Sequence, residues 1–518
     1  MTPIRLMRSF ATVGGWTLAS RILGFVRDIL MARFLGAGTI ADAFFVAFSL
    51  PNMFRRFFAE GAFNAAFVPM FTKKNTVDHA EAEAFARDAY WLMASFLIAF
   101  SMLAMAAMPF LVLAMAAGFA GDERFDLAVL FGRIAFPYIL FISLTALLSG
   151  MLNAMGRFAT AAAAPVLLNA AFIASLVLAA QFDWPVGMTL AWAVPVGGIA
   201  QLLVVWIAVR RSGFSLRFRR PTLTPELKRL LIVAAPAILA GGVVQINLIV
   251  GRQVASFTEN AISWLSYADR LYQLPLGVVG IAVGIVLLPE LARRLRLGET
   301  EAARDAFNRG MEFSLALTLP AAVALVVIAH PLISVLFERG AFVRADTANT
   351  ALALAIYGLG LPAFVLHKVL QPLYFAREDT RSPFRYALVS MVVNAVVAVA
   401  LMPVIGFLAA AWGTTLAAWT MVWQLWRGAR PMGPAARLDA RMRDRIWRIA
   451  LASGFMGFCL WLAAMPLAPV LYGPGRSMGL AILILAGIVS YFGFGAAIGA
   501  FRLSDFRAAM RRGNRNAG

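Results

Sequence analysis

An all-α polytopic membrane protein is the fold class that this sequence predicts. It should have fourteen transmembrane helices: two six-helix bundles related by a pseudo-twofold axis along the membrane normal, plus a C-terminal helix pair. Three observations predict it. Apolar runs recur from end to end of the 518 residues, in a chain that is 61% hydrophobic, and about 20 such residues span a bilayer. The basic residues crowd the connections that fall on one side of the membrane. A set of residues in the first half returns in the second at a slowly drifting offset.

The runs start near Ser9, Thr39, Ala86, Phe125, Ala159, Val186, Pro225, Asn260, Ala303, Asp346, Ser382, Gly406, Arg445 and Gly475. Their continuity excludes a membrane β-barrel, whose strands alternate polar and apolar. No polar stretch is long enough for a soluble domain. The first run follows Arg5 and Arg8, as a signal peptide would, but it is too long, carries charges and precedes further spans. It reads as an uncleaved first helix. If the chain starts inside, the basic clusters at 210–220, 293–309, 427–448 and 502–515 all fall inside. That is the positive-inside pattern, with both termini cytoplasmic. The net charge of +20 therefore reflects topology and attraction to anionic membrane lipid, not nucleic-acid binding. Cys459 is alone, and His79, His330 and His367 lack metal-ligand spacing.

Gly14-Gly15 returns as Gly241-Gly242, and Ala41-Asp42 as Ala268-Asp269 at the same offset. Pro137 and Asn169 return as Pro362 and Asn394, and Trp192 and Trp206 as Trp412 and Trp426, at slightly shorter offsets. Loop insertions and deletions produce such drift. An even number of helices per repeat puts both copies in the same orientation, as in parallel-repeat transporters. The expected division is a bundle over 1–220, a second over 221–430, and an accessory pair with a cytoplasmic tail over 431–518.

Charges interrupt the apolar runs. The first helix carries Arg21, Arg27 and Asp28; the second carries Asp42, Asn52, Arg55, Arg56 and Glu60; the eighth carries Asp269, Arg270 and Gln273. A charge near the bilayer centre costs about 2.5–3.5 kcal/mol on insertion scales, so such residues mark pathways or pairs. With a rise of about 1.5 Å per residue, Arg21 falls about 18 Å from the inner end of its helix. Arg21 and Arg27 point about 120° apart on a straight helix. Gly24 between them permits a kink, as Pro51 does in the second helix, and Gly14 and Gly15 add bending points. Each arginine has a structural alternative, snorkelling or pairing with Asp28, Asp42, Glu60 or Asp269. The five arginines outnumber those acids, and the guanidinium fork suits phosphate. An anionic, phosphate-bearing substrate in a water-filled cavity follows. Asn169 and Asn394 read as interhelical ties, and His367-Lys368 in the tenth helix as a contact for substrate or for an acid. No nucleotide cradle, nucleophile elbow or zinc helix motif is present. No cofactor is expected, and active transport would draw on a cation gradient or the membrane potential.

The segments Ser20-Arg21-Ile22-Leu23-Gly24-Phe25-Val26-Arg27-Asp28, Ala41-Asp42-Ala43-Phe44-Phe45, Leu50-Pro51-Asn52, Arg55 through Phe63, and Tyr267-Ala268-Asp269-Arg270-Leu271 resemble the MviN/MurJ family of bacterial lipid II flippases. That family lies within the multidrug/oligosaccharidyl-lipid/polysaccharide exporter superfamily, and the resemblance covers essentially the whole chain. It implies an inner-membrane protein that moves lipid II, the undecaprenyl-diphosphate-linked peptidoglycan precursor, to the outer leaflet. It also implies a cationic cavity in which Arg21, Arg27, Asp42, Arg55 and Arg270 bind substrate. Asp28, Asn52, Arg56, Glu60 and Asp269 would support them, Gly14, Gly15, Gly24 and Pro51 would act as hinges, and cell-wall synthesis proteins would be partners. The lipid tail would lie in a groove lined by the last two helices. Some relatives carry lysine at Ser49 and glutamate at Gln273, so no ion role is carried over to those positions. The same superfamily leaves open a cation-coupled exporter of drugs or of another lipid-linked oligosaccharide, which should carry acids as its main cavity charges. A membrane transferase would need clustered acids or histidines at the membrane face.

Overall fold

A computed structural model describes residues 3–58, 62–218, 220, 222–282 and 287–500. These residues form helices and connections, with no strand among them. The first half comprises α1 (Pro3–Leu35), α2 (Thr39–Phe58), α3 (Ala62–Val77), α4 (His79–Ala106), α5 (Met108–Met115), α6 (Glu123–Ala135), α7 (Tyr138–Ala154), α8 (Phe158–Phe182), α9 (Val186–Arg210) and α10 (Pro225–Ser256). There follow α11 (Ala261–Ala282), α12 (Leu288–Arg296), α13 (Thr300–Val327), α14 (Ala329–Phe337), α15 (Arg344–Phe375), α16 (Arg381–Ile405), α17 (Leu408–Ala429), α18 (Ala440–Leu471) and α19 (Arg476–Ala497). Glu60 lies outside the described residues.

Nine helical stretches among the described residues are long and apolar enough to cross a membrane. Neither α1 nor α2 is among them, because the charges that interrupt their runs lower their apolar character. Several runs that read as single spans are jointed. Pro109 at the start of α5 fits a helix beginning, where no N–H is needed. Pro137 separates α6 from α7 in the same way.

The chain divides into two compact units. One reaches Ser263 and takes in Arg339–Phe342; the other holds Trp264–Glu338 and the described residues from Val343 on. Compactness thus places the division after α10, whereas the repeat places it before. In the first unit, Phe67, Phe71 and Phe85 stack with ring centroids 5.5–5.8 Å apart. Leu144, Leu148, Val205, Val209 and Leu227 complete that core. Glycines bring its helices together: a methyl group on Gly197 would meet Leu168 of α8 at 2.7 Å, and one on Gly198 would meet Tyr138 of α7 at 2.7 Å. Small residues permit such approaches where lipid offers no hydrophobic drive.

In the second unit, α18 and α19 pack on α13 and α14 through Met456, Leu460, Leu480, Leu483 and Tyr491. The Tyr491 hydroxyl donates to the Ala316 carbonyl at 2.6 Å. Glu312 of α13 is buried and takes Arg309, Arg441 and Arg445, while Arg309 also reaches Asp439, which caps α18.

One short segment of the first unit forms a clasp. Ala341 donates its N–H to the Arg33 carbonyl at the end of α1, at 2.8 Å. Gly340 (φ 63°) and Gly36 (φ 70°) flank this bond. A methyl group on Gly340 would sit 2.2 Å from the Arg33 carbonyl oxygen, and one on Gly36 would sit 2.5 Å from the Ala341 carbonyl oxygen.

Candidate functional site

Arg27 is built into a junction of three helices. Its Nε and Nη2 donate to Asp28 Oδ1 at 3.0 and 2.7 Å. Its Nη1 donates to Asn169 Oδ1 of α8 at 2.9 Å. Asn169 is oriented in turn by its Nδ2, which donates to the Ser20 carbonyl at 3.0 Å. The guanidinium also lies 5.5 Å from the Phe172 ring centre, and Phe172 packs edge-on against Phe44 and Phe48 of α2. Asn169 is thus the interhelical tie that the sequence suggests, and what it ties is the arginine. The Arg27 and Asp28 side chains retain only 11% and 10% exposure, so the charge is held in one geometry rather than left to snorkel.

Arg21 is exposed, on a different side of α1 from Arg27, as the angular spacing requires. The helix stays continuous through Gly14, Gly15 and Gly24. The local unwinding that Gly24 permits is therefore not adopted in this structure. A side chain on Gly14 or Gly15 would meet nothing within 4 Å, and one on Gly24 would make ordinary contact with Asn169. Likewise α2 continues past Pro51. Two side chains there fold back onto backbone carbonyls: Ser49 Oγ donates to Phe45 at 2.5 Å and Asn52 Nδ2 to Phe48 at 2.8 Å. Asn52 is therefore partly engaged by its own helix. Arg55 follows it on the same face, half-buried; the Arg56 side chain lies outside the described residues.

Asp42 departs from the expectation of a substrate ligand. It is fully buried. Its Oδ1 accepts from the Ser263 N–H at 2.8 Å and from Ser263 Oγ at 2.6 Å, and Arg124 Nη1 approaches Oδ2 at 3.8 Å. Ser263 lies in the first turn of α11, so Asp42 caps that helix from another element, placing an anion where backbone N–H groups lack partners. Arg124 is held by Asp122 at 2.6 Å, by the Ser256 carbonyl at 3.3 Å and over the Phe119 ring at 4.5 Å. Nearby, Gln253 Oε1 accepts from the Ala117 N–H at 2.6 Å, and Ser256 Oγ from the Gly118 N–H at 2.9 Å. A carboxylate so enclosed is a tie between helices in this structure, with no open face toward a ligand.

In the second unit, α11 presents Ser266, Asp269, Arg270 and Gln273 along one face, the first three half-buried and Gln273 exposed. Gln273 donates its amide to Asp269. The structure therefore groups Arg27 with Asp28, and Asp269 with Arg270 and Gln273, while Asp42 joins neither group. Arg124 and Ser263 escape sequence reading. Arg124 follows two acids just before the run that starts near Phe125, and only folding shows what surrounds it.

Packed apolar helices long enough to span a bilayer, with an arginine anchored between them, mark an integral membrane protein. A family model described as lipid II flippase MurJ matches residues 31–486. The "Probable lipid II flippase MurJ" of Rhizobium meliloti (strain 1021) is 45% identical over 518 residues, covering 98% of this chain and 97% of its own. The "Lipid II flippase MurJ" of Burkholderia cenocepacia is 38% identical over 410 residues, covering 78% of this chain and 80% of its own. Among solved structures, "Lipid II flippase MurJ, inward closed conformation" aligns with a TM-score of 0.79 and 26% identity, over 94% of this chain and 98% of that one. An inward-facing multidrug resistance MATE family transporter of the MOP superfamily aligns with a TM-score of 0.67 and 15% identity, over 80% of this chain and 95% of that one, and shares the fold alone. The chain belongs to the MurJ family of lipid II flippases. It is an integral inner-membrane transporter and not an enzyme.

Proposed function

We propose that this protein carries lipid II from the inner to the outer leaflet of the bacterial inner membrane by alternating access. The observation that carries the reading is the full-length match to MurJ flippases, together with an intramembrane arginine fixed by a neighbouring carboxylate and an asparagine from another helix. A guanidinium held in this way keeps its charge and meets a diphosphate with little further ordering. Arg21, Arg27, Arg55 and Arg270 take the diphosphate; Asp28, Asn52, Arg56, Glu60 and Asp269 set their charge and orientation. Asp42 acts through the α11 cap.

The arrangement we favour has fourteen spans with both termini cytoplasmic, bundles over 1–220 and 221–430, and an accessory pair over 431–518. The internal repeat and the one-sided basic clusters support it. Gly14, Gly15, Gly24 and Pro51 are the flexible points, and a cation gradient or the membrane potential supplies the drive. Cell-wall synthesis proteins are the partners to seek.

The test is complementation of flippase-depleted cells by Arg21→Ala, Arg27→Ala and Arg270→Ala, with lipid II translocation measured in proteoliposomes. Each variant should lower translocation at least about tenfold, the loss of one strong charged contact. Full rescue by well-expressed forms of all three would remove the arginines from the site.

A further inference from the structure

In the second unit, α15 carries polar side chains that the arginine set does not use. Between Ile356 and Tyr374, α15 is buried on nearly every side. Leu359 is exposed, and Leu366, His367, Lys368 and Gln371 are the partly open positions. Three of those four are polar, and they are neighbours on one face at i, i+1 and i+4. Lipid would penalise such a polar face, so it belongs against water or protein rather than acyl chains.

The direction of that face follows from Phe364, one turn before. Its ring stacks on Tyr272 of α11 at 5.2 Å, and Tyr357 meets the same tyrosine at 5.0 Å. The His367–Lys368–Gln371 face therefore continues the side of α15 that packs toward α11, the helix carrying Ser266, Asp269, Arg270 and Gln273. Among the described residues no carboxylate pairs with Lys368. That face thus offers one ammonium and one amide beside the His367 ring.

Resting on the flippase reading above, we infer that Lys368, with Gln371, binds a carboxylate of the substrate's stem peptide. A single ammonium is a point charge with rotatable donors, matched to one carboxylate, whereas a diphosphate is better met by the planar forks of the arginines. The head group would then be held at two chemically different places, one for the diphosphate and one for the peptide.

The experiment measures binding to the purified full-length protein of three probes: lipid II, lipid II with its peptide carboxylates amidated, and undecaprenyl diphosphate. Lys368→Gln should weaken lipid II roughly tenfold, as expected for one charged contact, and leave the other two probes unchanged. Lys368→Arg should restore most of the affinity. Arg27→Ala, run in parallel, should weaken all three. Equal weakening of all three by Lys368→Gln would reassign the lysine to the diphosphate, and no weakening of lipid II would remove it from the site; either result overturns the inference. Failure of Arg27→Ala to weaken undecaprenyl diphosphate would count against the arginine cavity and leave the Lys368 comparison readable on its own. Melting temperatures of the variants within a few degrees of the parent establish that they fold.

Discussion

Asn169 has two jobs with one amide: its oxygen takes Arg27 and its nitrogen holds Ser20. Asn169→Ala removes the acceptor that α8 offers that guanidinium and leaves it to Asp28. Translocation should fall roughly tenfold, the loss of a hydrogen bond to a charged group, while Asn169→Asp should retain the acceptor and most of the rate. Wild-type translocation by Asn169→Ala would show that Arg27 needs no orientation from α8. Some of this is legible in the sequence. A charge-bearing apolar run can be read as functional from its energetic cost alone, and Asn169 stands out as a lone amide in a span. Its partner cannot be read, because angular position on α1 and α8 does not set which faces meet. Asp42 misleads in the same way. An acid in a span looks like a ligand until the N-terminus of α11 and Arg124 are seen to enclose it. Leu would keep bulk at 42 but leave the α11 cap without its acceptor, while Arg124 keeps Asp122 and the Ser256 carbonyl. Asp42→Leu should therefore destabilise the protein by about 1–3 kcal/mol, the cost of leaving buried donors unmet. Asp42→Asn, which still accepts from Ser263, should cost less. Thermal unfolding in detergent measures both.

At the scale of elements, the clasp between Gly340 and Arg33 is sharply specified. Gly340→Ala meets two penalties, a left-handed backbone of about 1–2 kcal/mol and a backbone clash. Gly298→Ala meets only the first, since Gly298 has a φ of 74° and nothing within 4 Å of an added methyl. The Gly340 variant should consequently lose clearly more in melting temperature than the Gly298 variant; equal losses would mean that the loop shifts freely off α1. Helix existence is readable from run length, but the joints are less so. Pro109 and Pro137 can be seen in the sequence, yet Pro51 is equally visible and α2 passes through it. Whether a proline breaks a helix depends on the tertiary contacts around it and on side chains that re-engage the backbone, such as the Asn52 bond to Phe48 beside Pro51.

For the molecule as a whole, the attachment of α18 and α19 to the second unit turns on one acid. Glu312→Gln would remove the buried carboxylate that takes Arg309, Arg441 and Arg445, and the α13–α18 junction should weaken by about 3–5 kcal/mol. Limited proteolysis in the 430–439 connection should then accelerate, and unchanged cleavage would show that apolar packing suffices. The sequence marks this region only as a basic cluster, because Glu312 is far along the chain from Arg441 and Arg445. The two longest helices of the first unit carry a different implication. α1 has 33 residues and α10 has 32, each about 50 Å of rod against a hydrocarbon core of about 30 Å. Rods of that length must tilt or stand out beyond the acyl chains, and the cost of either changes with the lipid around them. Acyl-chain length is then a physical variable acting on this protein, and the same chain placed in bilayers of different thickness should turn over at different rates.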